Sequence, residues 1–335
     1  MAIEPIDPFS DSRVTHETAK VNGYTYHYIL GVPQNGQYKA TVFLIHGWPD
    51  LSIGWRYQIP FLISLGLRVV APDLMGFGGT VIPPNSIHLY GFKRAADDIA
   101  ELAKQLGCKQ IILGGHDWGG MVVWRTALWH PELISHVFSI CTPYAAPQKK
   151  YISTEQLVQG PMPQAAYQLQ LAGPDVEAAL QSEEDMRIFF NMMSGGRGPN
   201  GEVGFSPERG VHFEDLKKLK RGPLLDEKTY EFYVQQYSRN GLHGTLNWYR
   251  TREANYKDDL NLPTDRIEMP ALFIQANYDS ILKPSMAVGM DKYFTQLTRA
   301  DVDAQHFCQV THPDKINAIL KNWLDGVVFG GKSTL

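Results

Sequence analysis

Cysteine is scarce in this chain: Cys108, Cys141 and Cys308 are the three thiols among 335 residues. An odd, widely spaced set is no disulfide framework, and its spacing fits no zinc pattern. Each thiol sits in an apolar segment, which suits a buried, reduced side chain and a reducing, cytoplasmic compartment. Long hydrophobic runs are missing too. No uninterrupted apolar stretch approaches the ~18 residues that span a bilayer. The start, Met1-Ala2-Ile3-Glu4-Pro5, lacks the basic head and apolar centre of a secretory leader. The end, Ser333-Thr334-Leu335, lacks the basic residue of a peroxisomal tail. Charge of one sign is also lacking. A formal net charge of -4 gives no reason to expect nucleic acid as a partner. The one dense basic cluster, Lys217-Lys218-Leu219-Lys220-Arg221, reads as a solvated helix face. None of the 11 histidines has metal-ligand spacing, and there is no dinucleotide or P-loop glycine motif, so neither a metal nor a cofactor is expected. No internal repeat is visible.

What is present is an alternation of strands and helices. Tyr24 to Leu30, Ala40 to Ile45, Arg68 to Ala71, Gln110 to Gly114, Val137 to Cys141 and Ala271 to Gln275 read as strands. Several are near-continuous apolar runs, the signature of a strand buried on both faces. Ser52 to Leu65, Phe92 to Leu106 and Pro313 to Leu324 carry helical spacing. A mostly parallel sheet flanked by helices follows. From Tyr144 to about Arg266 strand signals vanish and helical stretches separated by Gly and Pro take over. The expected organisation is a core in two parts, 1–143 and 267–335, interrupted by a helical lid over 144–266. Such an insertion suits the strand tops, where open α/β sheets bind ligands.

The chemistry centres on Gly115-His116-Asp117-Trp118-Gly119-Gly120, directly after an apolar strand. This resembles the nucleophile elbow of the α/β-hydrolases, G-x-S-x-G, with aspartate in the serine position. No G-x-S-x-G occurs anywhere, which argues against a serine esterase. A serine attacking a saturated carbon would end as an ether. A carboxylate attacking the same carbon forms an ester that water can open. Asp117 therefore points to epoxides or alkyl halides. The fold's chain order is nucleophile, acid, histidine. Asp279 and His306, each beyond a strand, fill the last two positions. An oxyanion hole needs two backbone N–H groups. Trp118 follows the nucleophile. Trp48, in the turn His46-Gly47-Trp48-Pro49, supplies the second, and a cis Trp48–Pro49 bond would suit so tight a turn. Asp73 reads as a turn-shaping residue, and His116 as a core residue pointing away from the nucleophile. Phe190, Met192 and Met193 are candidates for lining a substrate tunnel.

His46-Gly47-Trp48-Pro49-Asp50 and the aspartate elbow together resemble the soluble epoxide hydrolases of the α/β-hydrolase fold. Ala166-Tyr167-Gln168-Leu169 looks like that family's first lid tyrosine site. Phe232-Tyr233-Val234-Gln235-Gln236 with Leu246-Asn247-Trp248-Tyr249-Arg250 looks like the second. The likeness runs from about Tyr24 to Trp323. It implies an epoxide and water as substrates, a cofactor-independent hydrolysis through a covalent ester, and Tyr167 and Tyr249 as donors to the ring oxygen. Phe307 departs from the family, which often has tryptophan after the base, and this alters the tunnel wall. A dehalogenase is the nearest alternative, since it shares the aspartate nucleophile. A non-catalytic receptor on the same scaffold is the other.

Overall fold

A computed structural model describes residues 4–83 and 86–330. The terminal readings on Met1–Ile3 and Ser333–Leu335 lie outside the described residues. One eight-stranded sheet dominates, in the order β1-β2-β4-β3-β5-β6-β9-β10. Its strands are β1 (Val14–Val21), β2 (Tyr24–Gly31), β3 (Thr41–Ile45), β4 (Arg68–Pro72), β5 (Ile111–His116), β6 (Ile134–Ile140), β9 (Ala271–Ala276) and β10 (Leu297–Val302). β1 and β2 pair antiparallel, as do β2 and β4, and the six strands from β4 to β10 run parallel. Every residue of β3 and β5 is buried, as their continuous apolar sequences require of strands covered on both faces. β1 carried no apolar alternation in the sequence because it is an edge strand with half of its residues exposed and one buried.

The expected helix from Ser52 to Leu65 is broken. A tight turn covers Ser52–Trp55, and α1 starts at Gln58 and ends at Ser64. α2 (Phe92–Gln105) buries Ala95, Ile99 and Leu102 against the sheet side and α3 (Trp118–Trp129) follows the elbow. Between Ile140 and Ala271 the chain leaves the sheet. This segment holds α4 (Thr154–Gln159), α5 (Tyr167–Ala172), α6 (Asp175–Ala179), α7 (Glu183–Met193), α8 (Glu227–Asn240), α9 (His243–Leu246) and α10 (Arg252–Asp259). It is not purely helical: β7 (Phe205–Ser206) and β8 (Gly210–Val211) form a small hairpin, too short to leave a periodic signal. α11 (Cys308–Thr311) and α12 (Pro313–Trp323) close the chain's return to the core. No helix among the described residues is long and apolar enough to cross a membrane.

The inserted segment is fastened over the loops that follow β3 and β4. The Trp48 indole donates to Thr245 Oγ1 at 3.2 Å, and the Trp248 indole donates to the Met75 carbonyl at 3.0 Å. Tyr233 donates to the Asp50 carboxylate. β3 and β5 are neighbours, with Ile45 paired to Gly115. That register sets the turn at His46–Trp48 beside the elbow at His116–Asp117. The approach is close enough to demand glycine. A methyl group on Gly119 would lie 2.1 Å from the Ile45 carbonyl oxygen, which is backbone and cannot give way. Gly119→Ala is expected to lower stability by roughly 1–3 kcal/mol by overpacking, read as a lower urea midpoint. An unchanged midpoint would mean that the elbow helix can slide away from β3.

Candidate active site

Asp117 sits at the junction of β5 and α3 with φ 54° and ψ -125°, a left-handed backbone rarely adopted outside glycine. The turn holds it there. The Asp117 carbonyl accepts from the Gly120 N–H at 2.9 Å and from the Thr142 hydroxyl at 2.7 Å. Such strain is maintained where surrounding contacts over-determine it. The Trp48 N–H donates to Asp117 Oδ1 at 2.8 Å, and the Trp48–Pro49 bond is cis. Trp118 opens α3, so its N–H belongs to the first turn, where helical N–H groups have no partner within the helix.

Two later loops complete the cluster. Asp279 follows β9 by three residues and His306 follows β10 by four, and β9 and β10 are parallel neighbours. Both side chains therefore emerge at the same end of the sheet. His306 Nδ1 donates to Asp279 Oδ2 at 2.7 Å, and His306 Nε2 lies 3.4 Å from Asp117 Oδ2. The other Asp279 oxygen accepts from the N–H groups of Ile281 and Leu282 at 2.8 and 2.9 Å. Burial alone would raise the Asp279 pKa, but the His306 charge and these bonds hold it at about 2. Burial would also raise Asp117, yet the bond and charge of His306 keep it below the usual carboxylate value. For His306 burial acts downward, and the two carboxylates overcome it and push the imidazole well above its usual value.

The inserted segment brings two phenols to the same place. Tyr167 begins α5, and Tyr249 lies in the turn Asn247–Arg250. Their rings meet edge to face with centroids 6.0 Å apart. Arg250 ties the two segments together by donating to the Ala172 and Gly173 carbonyls, at the end of the helix that Tyr167 starts. Burial, and then neighbouring charge or phenol, raises both hydroxyls above the ordinary phenol value. Asp117, Tyr167 and Tyr249 line two cavities, one of about 880 Å³ and one of about 260 Å³, so the cluster is reached from two sides. Met192, Met193 and Phe307 line the larger one. Phe190 is absent from both walls: its ring is buried against Phe189, Tyr233 and Tyr237, and it borders a third, much smaller cavity shared with Met193 and Phe307.

His116 points into the core, as expected, but it is not idle there. Its Nε2 donates to the His306 carbonyl at 2.8 Å, and Gln309 approaches its Nδ1 at 3.2 Å. Burial and then the neighbouring His306 hold it down at about 4, so the ring is neutral. The Cys141 thiol also reaches the His306 carbonyl, at 3.1 Å. Sequence reasoning missed this clamp, whose only sequence signal was the place of His116 beside the nucleophile. His116, Cys141 and His306 offer atoms within 4.8 Å of one another. A cation among them would displace the hydrogen bonds that these groups already make. Asp73 shapes a turn: its oxygens accept from the N–H groups of Ser52 and Gly79 and from His27.

The family profile of the α/β-hydrolase fold matches residues 40–313. The epoxide hydrolase srdG of Neurospora crassa is 39% identical over 96% of this chain and 98% of its own length. Bifunctional epoxide hydrolase 2 of Sus scrofa is 34% identical over 85% of this chain, which spans 51% of that larger protein. Among solved structures, epoxide hydrolase A from Mycobacterium thermoresistibile superimposes with a TM-score of 0.80, at 26% identity over 93% of this chain and 98% of that one. A family profile over most of the chain and a relative 39% identical along almost its whole length show the family: the chain belongs to the epoxide hydrolase family of the α/β-hydrolase fold.

Proposed function

We propose that this protein converts epoxides to vicinal diols through an ester on Asp117, with 144–266 acting as the lid and the cytoplasm as its compartment. One observation carries the reading: Asp117 has one oxygen on the Trp48 N–H and the other facing His306. Oδ1 is committed to its donor, so Oδ2 is the attacking atom. It bonds to a ring carbon while Tyr167 and Tyr249 donate to the ring oxygen and protonate the departing alkoxide. Water then attacks the ester carbonyl carbon, deprotonated by His306, which Asp279 orients. The N–H groups of Trp48 and Trp118 stabilise the oxyanion, at ~3 kcal/mol for a typical donor. Epoxide and water are the only reactants needed.

A halide leaving group would need a pair of indole donors, and Trp48 Nε1 already serves Thr245. This favours epoxides over alkyl halides. The direct test is a single turnover in oxygen-18 water with enzyme in excess. The first diol is expected to carry no label, because its new oxygen comes from Asp117. Label in that first diol would mean direct attack by water and would remove the ester.

The charges predict how each half-reaction depends on pH. In the free enzyme, both carboxylates hold His306 protonated. Esterification removes the Asp117 charge, so the imidazole falls back and becomes a competent base only once the ester exists. Alkylation is therefore expected to be flat between about pH 6 and 9, since Asp117 is ionised and the phenols are protonated throughout. Ester decay should rise with pH and then level. Stopped-flow fluorescence of Trp48 and Trp118 beside the ester can separate the two phases, and decay that slows with pH would contradict His306 as base.

A further inference from the structure

The peptide unit that carries the Trp48 N–H is gripped from its far end. Gly47 and Trp48 share that unit, and among the described residues the one cis bond is Trp48–Pro49. The Gly47 carbonyl and the Trp48 N–H therefore point in opposite directions. The N–H meets Asp117 Oδ1 at 2.8 Å, and the carbonyl lies 2.8 Å from His46 Nδ1. The fit is close: a methyl group on Gly47 would lie 2.3 Å from Asp117 Oδ1. His46 itself is buried, with its ring edge to face on Phe77 at 4.8 Å between centroids. Its second nitrogen, Nε2, accepts from the Leu74 N–H at 3.0 Å, in the loop after β4.

These two bonds assign the hydrogen of the ring. A carbonyl oxygen only accepts, and a backbone N–H only donates. An imidazole satisfies both with its hydrogen on Nδ1 and a lone pair on Nε2. The loop that presents the Leu74 N–H is fixed in turn by Asp73, which accepts from Ser52, Gly79 and His27. A chain of hydrogen bonds thus runs from the loop after β4, through His46, to the donor on the nucleophile. The Gly47 carbonyl has a second donor, the Asp50 N–H at 3.1 Å, but that bond closes the turn on itself.

We infer that His46 is a positioning residue for ester hydrolysis: through the Gly47 carbonyl it sets the tilt of the Trp48 N–H toward the Asp117 oxygen that becomes the oxyanion. This rests on the ester reading of Asp117. The tilt matters unequally to the two half-reactions. During alkylation the carboxylate loses charge, so a weaker bond to it does not slow the attack. During ester decay the same oxygen gains charge, and a donor aimed at it is worth about 10²- to 10³-fold in rate.

Amide substitutions separate the two bonds. Asparagine puts its amide near the Nδ1 position and can still donate to Gly47. Glutamine puts its amide near the Nε2 position, where it can accept from Leu74 and leaves the Gly47 carbonyl without its side-chain donor. Single turnovers of styrene oxide give the alkylation and decay rates in one sample, so inactive protein does not enter their ratio. His46→Gln is expected to lower the ratio of decay to alkylation by about tenfold or more, with ester building up on the Asp117 peptide in quenched samples. His46→Asn should recover most of that loss. A merely structural role would not separate the phases. A glutamine ratio near that of wild type overturns the inference, and so does an asparagine variant no better than glutamine. Neutron diffraction of wild-type crystals reads the same point without a variant that must fold. Hydrogen on Nδ1 alone is expected, and hydrogen on Nε2 overturns the inference. Wild-type diol formation with no ester on Asp117 would remove the ester reading, and the role of His46 with it. A wild-type ester whose decay both variants leave unchanged would remove the role of His46 alone.

Discussion

His306→Gln is expected to trap the enzyme on its substrate. Glutamine cannot act as a base at neutral pH, but nothing in ester formation calls for one. Asp117 is already held below the ordinary carboxylate pKa, and with the imidazole gone the Trp48 N–H still supports its ionised form. The variant should consume about one equivalent of epoxide and then stall. Steady-state turnover should fall by roughly 10³ to 10⁴, the scale of losing an acid–base group. Mass spectrometry of a digest should show the adduct on the peptide that contains Asp117. The position of the adduct matters as much as its presence, because Asp50, Asp226 and Asp279 are also carboxylates near the cavity. Adduct on any of these, or steady turnover without adduct, would remove the two-step scheme. The glutamine amide should still reach Asp279, so a folding defect is a poor explanation for a stalled variant. Titrating the burst against active protein separates the two.

Parts of this site were legible in the sequence for a definite reason. The elbow glycines are demanded by backbone approach: a side chain on Gly119 would collide with Ile45, so the spacing itself reports the geometry. The order Asp117, Asp279, His306 follows from strand order, because parallel neighbours present their following loops at one end of the sheet. Tyr167 and Tyr249 had no such local signal. They meet through packing within the inserted segment, and only likeness to a family singled them out. Arg56 had no sequence signal for the opposite reason. A charged residue in a helical stretch reads as exposed, yet Arg56, between the turn Ser52–Trp55 and α1, is buried. Phe190 shows the same gap from the apolar side. Met192 and Met193 reach the cavity while Phe190, on the same helix, packs against α8.

Replacing both Tyr167 and Tyr249 with phenylalanine is expected to stop the first half-reaction while sparing the second. An alkoxide is a poor leaving group, and the epoxide opens only as fast as its oxygen can be bonded and protonated. Burial makes these phenols weaker acids than usual, which keeps both protonated through the neutral and mildly alkaline range where Asp117 is ionised. It also means that each hydroxyl gains most when an oxygen beside it becomes more basic, as it does when the ring breaks. Either single variant should slow alkylation by about 10², and the double variant by about 10⁴ or more, the range for general acid groups. Decay of a preformed ester should stay near normal, because neither phenol touches that step in the scheme. Folding should change little: the Tyr167 hydroxyl accepts one long bond, from Gln168 at 3.3 Å, and both rings remain to fill their places. Single-turnover alkylation rates read the effect directly. Near-normal rates in the double variant would shift the burden of protonation to water or to His306. His306 is the stronger acid of the candidates and faces the attacking oxygen Oδ2, so that outcome would also require the ring oxygen to point toward His306 rather than toward the two phenols.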